Sequence, residues 1–305
     1  MGRPSFKESK TAIVIIAWNS DHFIGACVES ALSLRCRTLD VWVVDNGSSD
    51  STPDILSALA KDDKRLHVIS AGRNLGTTVS RNLVLKQLSV DTDYICILDS
   101  DTVVNQSAFE CLAAVLSDSS VGVVGPTMIN SSGETQLSGR ALPTLPIKLA
   151  KAFPFGEFAQ KAADLEIPST SVVRGLQDVG YLLSACWFIP RETLEVVGFL
   201  DEKIFYAPED VDWCLRCHES GLRVVRCYEA YIVHEYQRLS HKKLFSKTNF
   251  EHIKGLLYYF AKHRYLVVSV YREASLLGVQ VLLDEVDILA SPFICLTIAY
   301  KVVIF

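Results

Sequence analysis

The sequence predicts an α/β fold, a mostly parallel sheet with helices on both faces, followed by a helical C-terminal extension. Three features point there. Short β-branched apolar runs recur at Ala12–Ala17, Val41–Val44, Leu66–Ile69, Tyr94–Leu98 and Val121–Val124. Longer stretches with helical spacing, Phe23–Leu34, Thr52–Ala60, Thr77–Leu88 and Ser107–Leu116, alternate with them. The runs are also continuous in apolar character, as strands are when helices cover both faces of a parallel sheet.

The elements follow in order. The first strand, AIVIIA, has no polar residue. The second runs through Val41–Val44 into Asp45 and a turn built from Asn46 and Gly47. Ser51 or Thr52 can cap the helix that follows, with Pro53 in its first turn. Near Pro126 the rhythm breaks, and Pro126, Pro143, Pro146, Pro154 and Pro168 punctuate a loop-rich segment. An apolar run at Val179–Ile189 comes next, then a helical pattern at Glu209–Ser220, a short strand at Arg223–Arg226, and long helical stretches from Thr248 onward. The expected division is a polar tail over 1–10, one α/β half over 11–125, a second half of the same domain over 126–247, and C-terminal helices over 248–305.

The 18 residues Ile288–Phe305 reach the lower length of a membrane span. Pro292 interrupts them and no basic cluster flanks them, so a packed or membrane-surface helix is the expected form.

Composition narrows the function. The chain has 305 residues, 49% hydrophobic, with a net charge of −5, so a large core is available and no basic stripe for nucleic acid is expected. Its nine cysteines, an odd number, and the polar opening MGRPSFKESK predict a reducing, cytoplasmic setting, and the apolar C-terminal stretch suits peripheral contact on the inner face of a membrane. Cys214 and Cys217 share one helix and have no second pair at zinc-like spacing, so they read as buried core residues.

Four constellations fall at strand ends, where a doubly wound sheet places its ligands. Asp45 is a carboxylate leaving a buried strand, and it needs a donor such as a nucleobase imide; turn chemistry accounts for Asn46, Gly47 and Ser48. Gly72-Arg-Asn-Leu-Gly76, with Arg81 and Asn82 one to two turns on, offers backbone amides and arginine to a diphosphate. Asp99 and Asp101 suit a divalent cation, or else Asp101 or Asn105 caps the next helix. Glu209, Asp210 and Asp212 crowd a helix start beyond what the macrodipole asks, although Asp212 can pair with Arg216.

Together and in this order, over roughly Thr11 to Arg264, the four stretches resemble the family 2 glycosyltransferases of the GT-A fold, which is Rossmann-like. The tract GFLDEKIFYAPEDVDWCLRCHESG is similar to one in the rhamnosyltransferase-like branch. The resemblance implies an inverting hexosyltransferase that moves a sugar from a nucleotide diphosphate, dTDP-rhamnose or a UDP-sugar, to a hydroxyl of a saccharide or lipid-linked saccharide. It implies a role in cell-surface polysaccharide synthesis. Residues 11–125 would then bind the nucleotide sugar, and 126–247 would hold the acceptor and the catalytic group.

By the same resemblance Ala17 and Asn19 flank the base, Asp45 reads it, and Arg73 approaches the diphosphate. Asp99 and Asp101 become the Asp-x-Asp pair for Mn2+ or Mg2+, completed by His234. Asp210 becomes the catalytic base and Glu209 its acceptor-binding neighbour. Ser184 and Trp187 lie on the floor of the acceptor site, with Trp187 a stacking platform or core. Ser240–Lys243 form a lid over the diphosphate or an ordinary basic turn. Ala17-Trp18 stands where relatives often carry Thr-Tyr, which leaves the base open.

Two other readings compete. A nucleotidyltransferase also pairs carboxylates on such a sheet, but it would carry a Gly-rich basic loop after the first strand, where AWNSDHFIG has one Gly and no Lys or Arg. A non-catalytic nucleotide- or glycan-binding relative would have little use for intact Asp-x-Asp and Glu-Asp pairs.

Overall fold

The computed structural model describes residues 2–143, 174–235 and 247–263. The proposed lid at Ser240–Lys243 and the apolar stretch Ile288–Phe305 lie outside the described residues. Residues up to Leu142 and from 174 to Tyr259 belong to one compact unit, and a second takes in the end of the last helix from Phe260. The helix expected to open a separate C-terminal part from 248 thus belongs to the first unit through Tyr259.

The strands are β1 (Lys10–Ala17), β2 (Thr38–Asp45), β3 (Leu66–Ser70), β4 (Tyr94–Asp99), β5 (Thr102–Val103), β6 (Val121–Ile129), β7 (Thr135–Gln136), β8 (Gly139–Arg140), β9 (Leu176–Asp178), β10 (Tyr181–Leu182), β11 (Cys186–Pro190) and β12 (Arg223–His234). The helices are α1 (Ile24–Leu32), α2 (Thr52–Asp62), α3 (Thr77–Leu85), α4 (Gln106–Val115), α5 (Arg191–Val197), α6 (Glu209–Glu219) and α7 (Lys247–His263).

The main sheet runs β3-β2-β1-β4-β11-β6-β12-β5, with β7 beside β6 and β9 beside β12. β1 pairs parallel with β2 and β4, β2 with β3, and β6 with β12; β11 and β5 run against their neighbours. Ala17 sits opposite Asp45 and Ile16 opposite Asp99, so the carboxyl ends of β1, β2 and β4 open at one edge.

The core follows from the apolar runs. Ile13, Ile15, Val41, Val43, Cys96 and Leu98 are all fully buried. α1 buries Ile24, Cys27, Val28 and Ala31, one face of a helix at 3.6 residues per turn. The first ten residues are not a free tail. Phe6 is buried, its ring 5.3 Å from Phe109 and 6.1 Å from Phe188, and burying a phenyl ring contributes about 2 kcal/mol. Arg3 reaches the carbonyls of Leu116 and Val121 at 2.7 and 3.0 Å, satisfying acceptors at the end of α4 and the start of β6.

Two other expectations change. The strand expected at Arg223–Arg226 continues to His234, because the register shifts between Cys227 and Tyr231 and the polar Tyr228-Glu229 bulge masks its second half. The apolar run Val179–Ile189 is two short strands, β10 and β11, and Ser184 lies in the turn between them.

Candidate active site

The open edge of the sheet is built by braced loops. The turn after β2 sits on the loop before α3: a Cβ on Gly47, whose φ is +75°, would fall 2.5 Å from the Arg73 backbone. Asn46 is buried and more than a turn residue. Its Oδ1 accepts from the Leu75 amide at 2.8 Å and the Ser80 hydroxyl at 2.9 Å. The loop after β1 joins in, with Asn19 accepting from the Ser49 amide at 2.8 Å and Ser20 bonded to Ser100 at 2.9 Å. Asp50, rather than Ser51, accepts from the Thr52 amide at the start of α2.

Asp45 is buried and takes the Ser48 amide at 3.0 Å, so one of its oxygens already has a donor. Ala17 is fully buried at the end of β1, which leaves none of its surface to touch a donor. The exposed neighbour Trp18, 45% accessible, is the side chain that can flank a base there, with Asn19 beside it in the left-handed region at φ +50°. Arg73 is exposed at the mouth.

Asn105, not Asp101, caps α4, accepting from the Ala108 amide at 3.0 Å. Asp101 is thereby left for other work. The two-residue ladder of β5 against the end of β12 sets Thr102 opposite His234. That pairing brings His234 Nε2 to 3.4 Å from Asp101 Oδ1, across more than 130 residues of sequence.

Asp99, Asp101 and His234 each offer one ligand atom, and these atoms lie within 4.8 Å of one another. Octahedral coordination at about 2.1 Å puts adjacent ligands about 3 Å apart and opposite ones about 4.2 Å apart, so the trio stands close to the spread that one small divalent ion asks for. Gln136 fixes the imidazole. Its Nε2 donates to the His234 carbonyl at 2.7 Å, which turns Oε1 to Nδ1 at 2.8 Å. The Nδ1 proton is therefore held, and Nε2 faces the carboxylates as a ligand would. Burial draws the His234 pKa down, but Asp101, Asp99 and Glu235 outweigh it and the net shift is upward.

The residue that organises the acids is Arg81, in the second turn of α3 with 1% of its side chain accessible. Its Nη2 reaches Asp99 Oδ1 at 2.8 Å and the Ser184 carbonyl at 3.2 Å, and its Nη1 reaches Glu209 Oε1 at 3.2 Å. The Ser184 hydroxyl donates to the same Glu209 oxygen at 3.0 Å. The link between α3 and the loop before α6 is tight. A Cβ on Gly76 would lie 2.2 Å from the Phe205 carbonyl, and Thr78 donates to the Ile204 carbonyl at 2.7 Å.

Withdrawal from solvent at the cleft floor raises the Asp99 pKa and Asp101 adds to it, while Arg81 and His234 pull it down. Burial, followed by repulsion from Asp210, pushes Glu209 up to about 8 against the pull of Arg81. With Glu209 held protonated by its burial, one guanidinium and one imidazole stand against the three carboxylates of Asp99, Asp101 and Asp210, so the site favours a further cation. Asp210 is partly exposed at the first turn of α6. Asp212 is buried and paired with Arg216 at 3.0 Å, a structural bridge one helical turn long.

Trp187 is corrected to core. It is fully buried, packed 5.2 Å from Trp213, and donates its indole N–H to the Leu182 carbonyl at 3.0 Å, so no ring face is left for an acceptor. Cys214 and Cys217 are buried in α6, with no metal-like partner among the described residues.

The Glu209 shift gives a pH dependence. Its folded-state pKa, about 8, lies above the ordinary 4.5, so its stabilising contribution is full below about pH 4.5 and is lost as pH rises towards 8. Denaturant melts of wild type and Glu209→Gln are expected to diverge over that window, the wild type losing stability relative to the variant as pH rises. Parallel pH profiles would remove the assignment.

Comparison with known proteins adds the family. The Glycosyl transferase family 2 model matches residues 12–170, just over half of the chain. The dTDP-rhamnosyl transferase RfbF of Shigella flexneri is 23% identical over 223 residues, 72% of this chain and 67% of that protein. The N-acetylglucosaminyl-diphospho-decaprenol L-rhamnosyltransferase of Mycobacterium tuberculosis is 26% identical over 223 residues, 67% of this chain and 69% of that protein. Among solved structures, GalNAc-T7 with UDP, GalNAc and Mn2+ superposes with a TM-score of 0.62 at 15% identity, over 83% of this chain and 48% of that one.

Proposed function

The chain belongs to glycosyl transferase family 2 with a GT-A fold, and from that premise we propose an inverting, metal-dependent transfer of a sugar from a nucleotide diphosphate to an acceptor hydroxyl. dTDP-rhamnose is the favoured donor and a UDP-sugar the alternative, because both rhamnosyltransferase relatives match two thirds of their own length. The acceptor is a saccharide, carried on a lipid as the name of the mycobacterial relative indicates for that protein, in cell-surface polysaccharide synthesis. The setting proposed is cytoplasmic, at the inner face of a membrane; no helix among the described residues is long and apolar enough to cross one.

The observation that carries this reading is that the Asp99, Asp101 and His234 ligand atoms stand within 4.8 Å of one another, on a floor joined through Arg81 to Glu209. The residues divide the work. Trp18 and Asn19 flank the base and Asp45 reads it, a division supported by the exposure of Trp18 and the free edge at which Asp45 ends β2. Arg73 stands at the mouth, on the side of a diphosphate. Asp99, Asp101 and His234 would hold Mn2+ or Mg2+, which neutralises charge growing on the leaving diphosphate. Ser184 and Glu209 position the acceptor. Asp210 takes the acceptor proton as the hydroxyl attacks the anomeric carbon from the face opposite the nucleotide. That single displacement inverts the centre and forms no sugar–enzyme bond.

A thermal-shift screen of dTDP-rhamnose and UDP-sugars, with and without Mn2+ or Mg2+, tests the reading. One donor should raise the melting temperature as the logarithm of its concentration, and more strongly with metal. Asp101→Ala should abolish the metal increment. A metal increment that survives in Asp101→Ala, or no response to any nucleotide sugar, would overturn the assignment.

A further inference from the structure

Helix α7 is apolar on two opposite sides. Gly255 and Tyr259 are buried, and a Cβ on Gly255 would fall 2.0 Å from the Ala207 carbonyl, so the helix axis lies hard against the loop that starts α6. Tyr258 reinforces the contact, donating to Asp201 at 2.9 Å with Lys203 over its ring at 5.8 Å. On the far side, Phe250, Ile253 and Leu257 are 66%, 58% and 65% accessible. Their spacing of three and four residues places them within an arc of about 60° at 100° per residue. A surface helix normally turns one apolar stripe to the core and a polar face to water, so this second stripe lacks a partner among the described residues.

We propose that the Phe250–Ile253–Leu257 stripe of α7 docks on the surface of an anionic membrane. Lys254, 66% accessible, borders the stripe within 3.7 Å of Glu251, and the helix sequence adds Lys247 to it on that side against this one acid, in a chain whose net charge is −5. That local reversal of sign complements anionic headgroups. A second copy fits less well. Two-fold pairing would bring Lys254 towards its own equivalent, and three side chains fall well short of the roughly 800 Å2 per partner of a standard interface. The inference deepens the reading of the acceptor as lipid-linked. With the stripe in the interface, the Ala207–Pro208 loop that leads into Glu209 and Asp210 lies across α7 from the headgroups, about one helix diameter, roughly 10 Å.

Sedimentation of the full chain with vesicles tests the docking without any donor or acceptor. The wild type is expected to pellet with phosphatidylcholine–phosphatidylglycerol vesicles and to be released by high salt. The triple variant Phe250→Ser, Ile253→Ser, Leu257→Ser should lose about tenfold in vesicle affinity with an unchanged melting temperature. Lys254→Glu should weaken binding and flatten its salt dependence. Equal pelleting of wild type and triple variant would overturn the proposal. So would wild type that stays in the supernatant, or a solution dimer that the triple variant makes monomeric. Vesicle binding without sugar transfer to any acceptor would count against the proposed function and leave the docking face standing.

Discussion

Asp210→Asn is expected to lower sugar transfer about 10³-fold while leaving donor affinity within about twofold, a barrier increase of about 4 kcal/mol. The argument turns on the pair of adjacent acids. Glu209 is buried, its Oε1 is taken by Arg81 and Ser184, and its pKa near 8 keeps it protonated at neutral pH. A protonated carboxyl cannot accept the acceptor's proton, which is why the proposed base is its half-buried neighbour Asp210. Asn keeps the shape and the acceptor oxygen that takes the Val211 amide at 2.8 Å, so the start of α6 should stay in place. Single-turnover transfer and donor titration separate the two quantities. If Asp210→Asn keeps more than about a tenth of the activity, or if Glu209→Gln alone shows the full loss, the roles are assigned to the wrong residues.

Much of this was legible in the chain. The parallel strands announced themselves because both faces are covered, so apolar residues fill AIVIIA and VWVV without a polar break. The strand ends carried Asp45, Asp99 and Asp101 because a parallel sheet leaves its carboxyl edge free for ligands. What failed to show was pairing across distance. His234 could be named by resemblance, but the short ladder between Thr102 and His234 that delivers it leaves no local trace. Gln136, which holds the imidazole, stands in a two-residue strand with no periodicity to read. Trp187 misled for the opposite reason: an aromatic near a polar turn fits a platform or a core equally well, and only its contact with Trp213 decides.

Arg81 was visible and its use was not. It sits in an ordinary helical stretch, where an arginine is usually solvated, and no spacing rule links it to carboxylates 18 and 128 residues away. Asn46 was undervalued for a related reason. Its turn role explains its residue type fully, so nothing in the sequence asked for the buried bonds to Leu75 and Ser80.

Arg81→Met should therefore be the most damaging single change to the fold of the site. The side chain is buried and joins two acids on different elements, Asp99 at the end of β4 and Glu209 at the start of α6. Removing it leaves Asp99 without its countercharge and the Glu209 and Ser184 oxygens without their donor, at about 3–5 kcal/mol together. At the entropy of a domain of this size that is a fall in melting temperature of roughly 10 °C. Transfer should fall as well, because nothing would then hold the metal-side carboxylate in fixed relation to the catalytic helix. Arg81→Lys should not rescue it: Nη1 and Nη2 serve different acids, and one ammonium cannot reproduce that fork. The double variant Arg81→Met, Glu209→Gln should melt close to Arg81→Met at pH 7, because Glu209 is already protonated there, and it should show no recovery of transfer. If Arg81→Met melts within about 2 °C of the wild type, Arg81 does not join the two halves of this site, and the carboxylates owe their placement to the backbone alone.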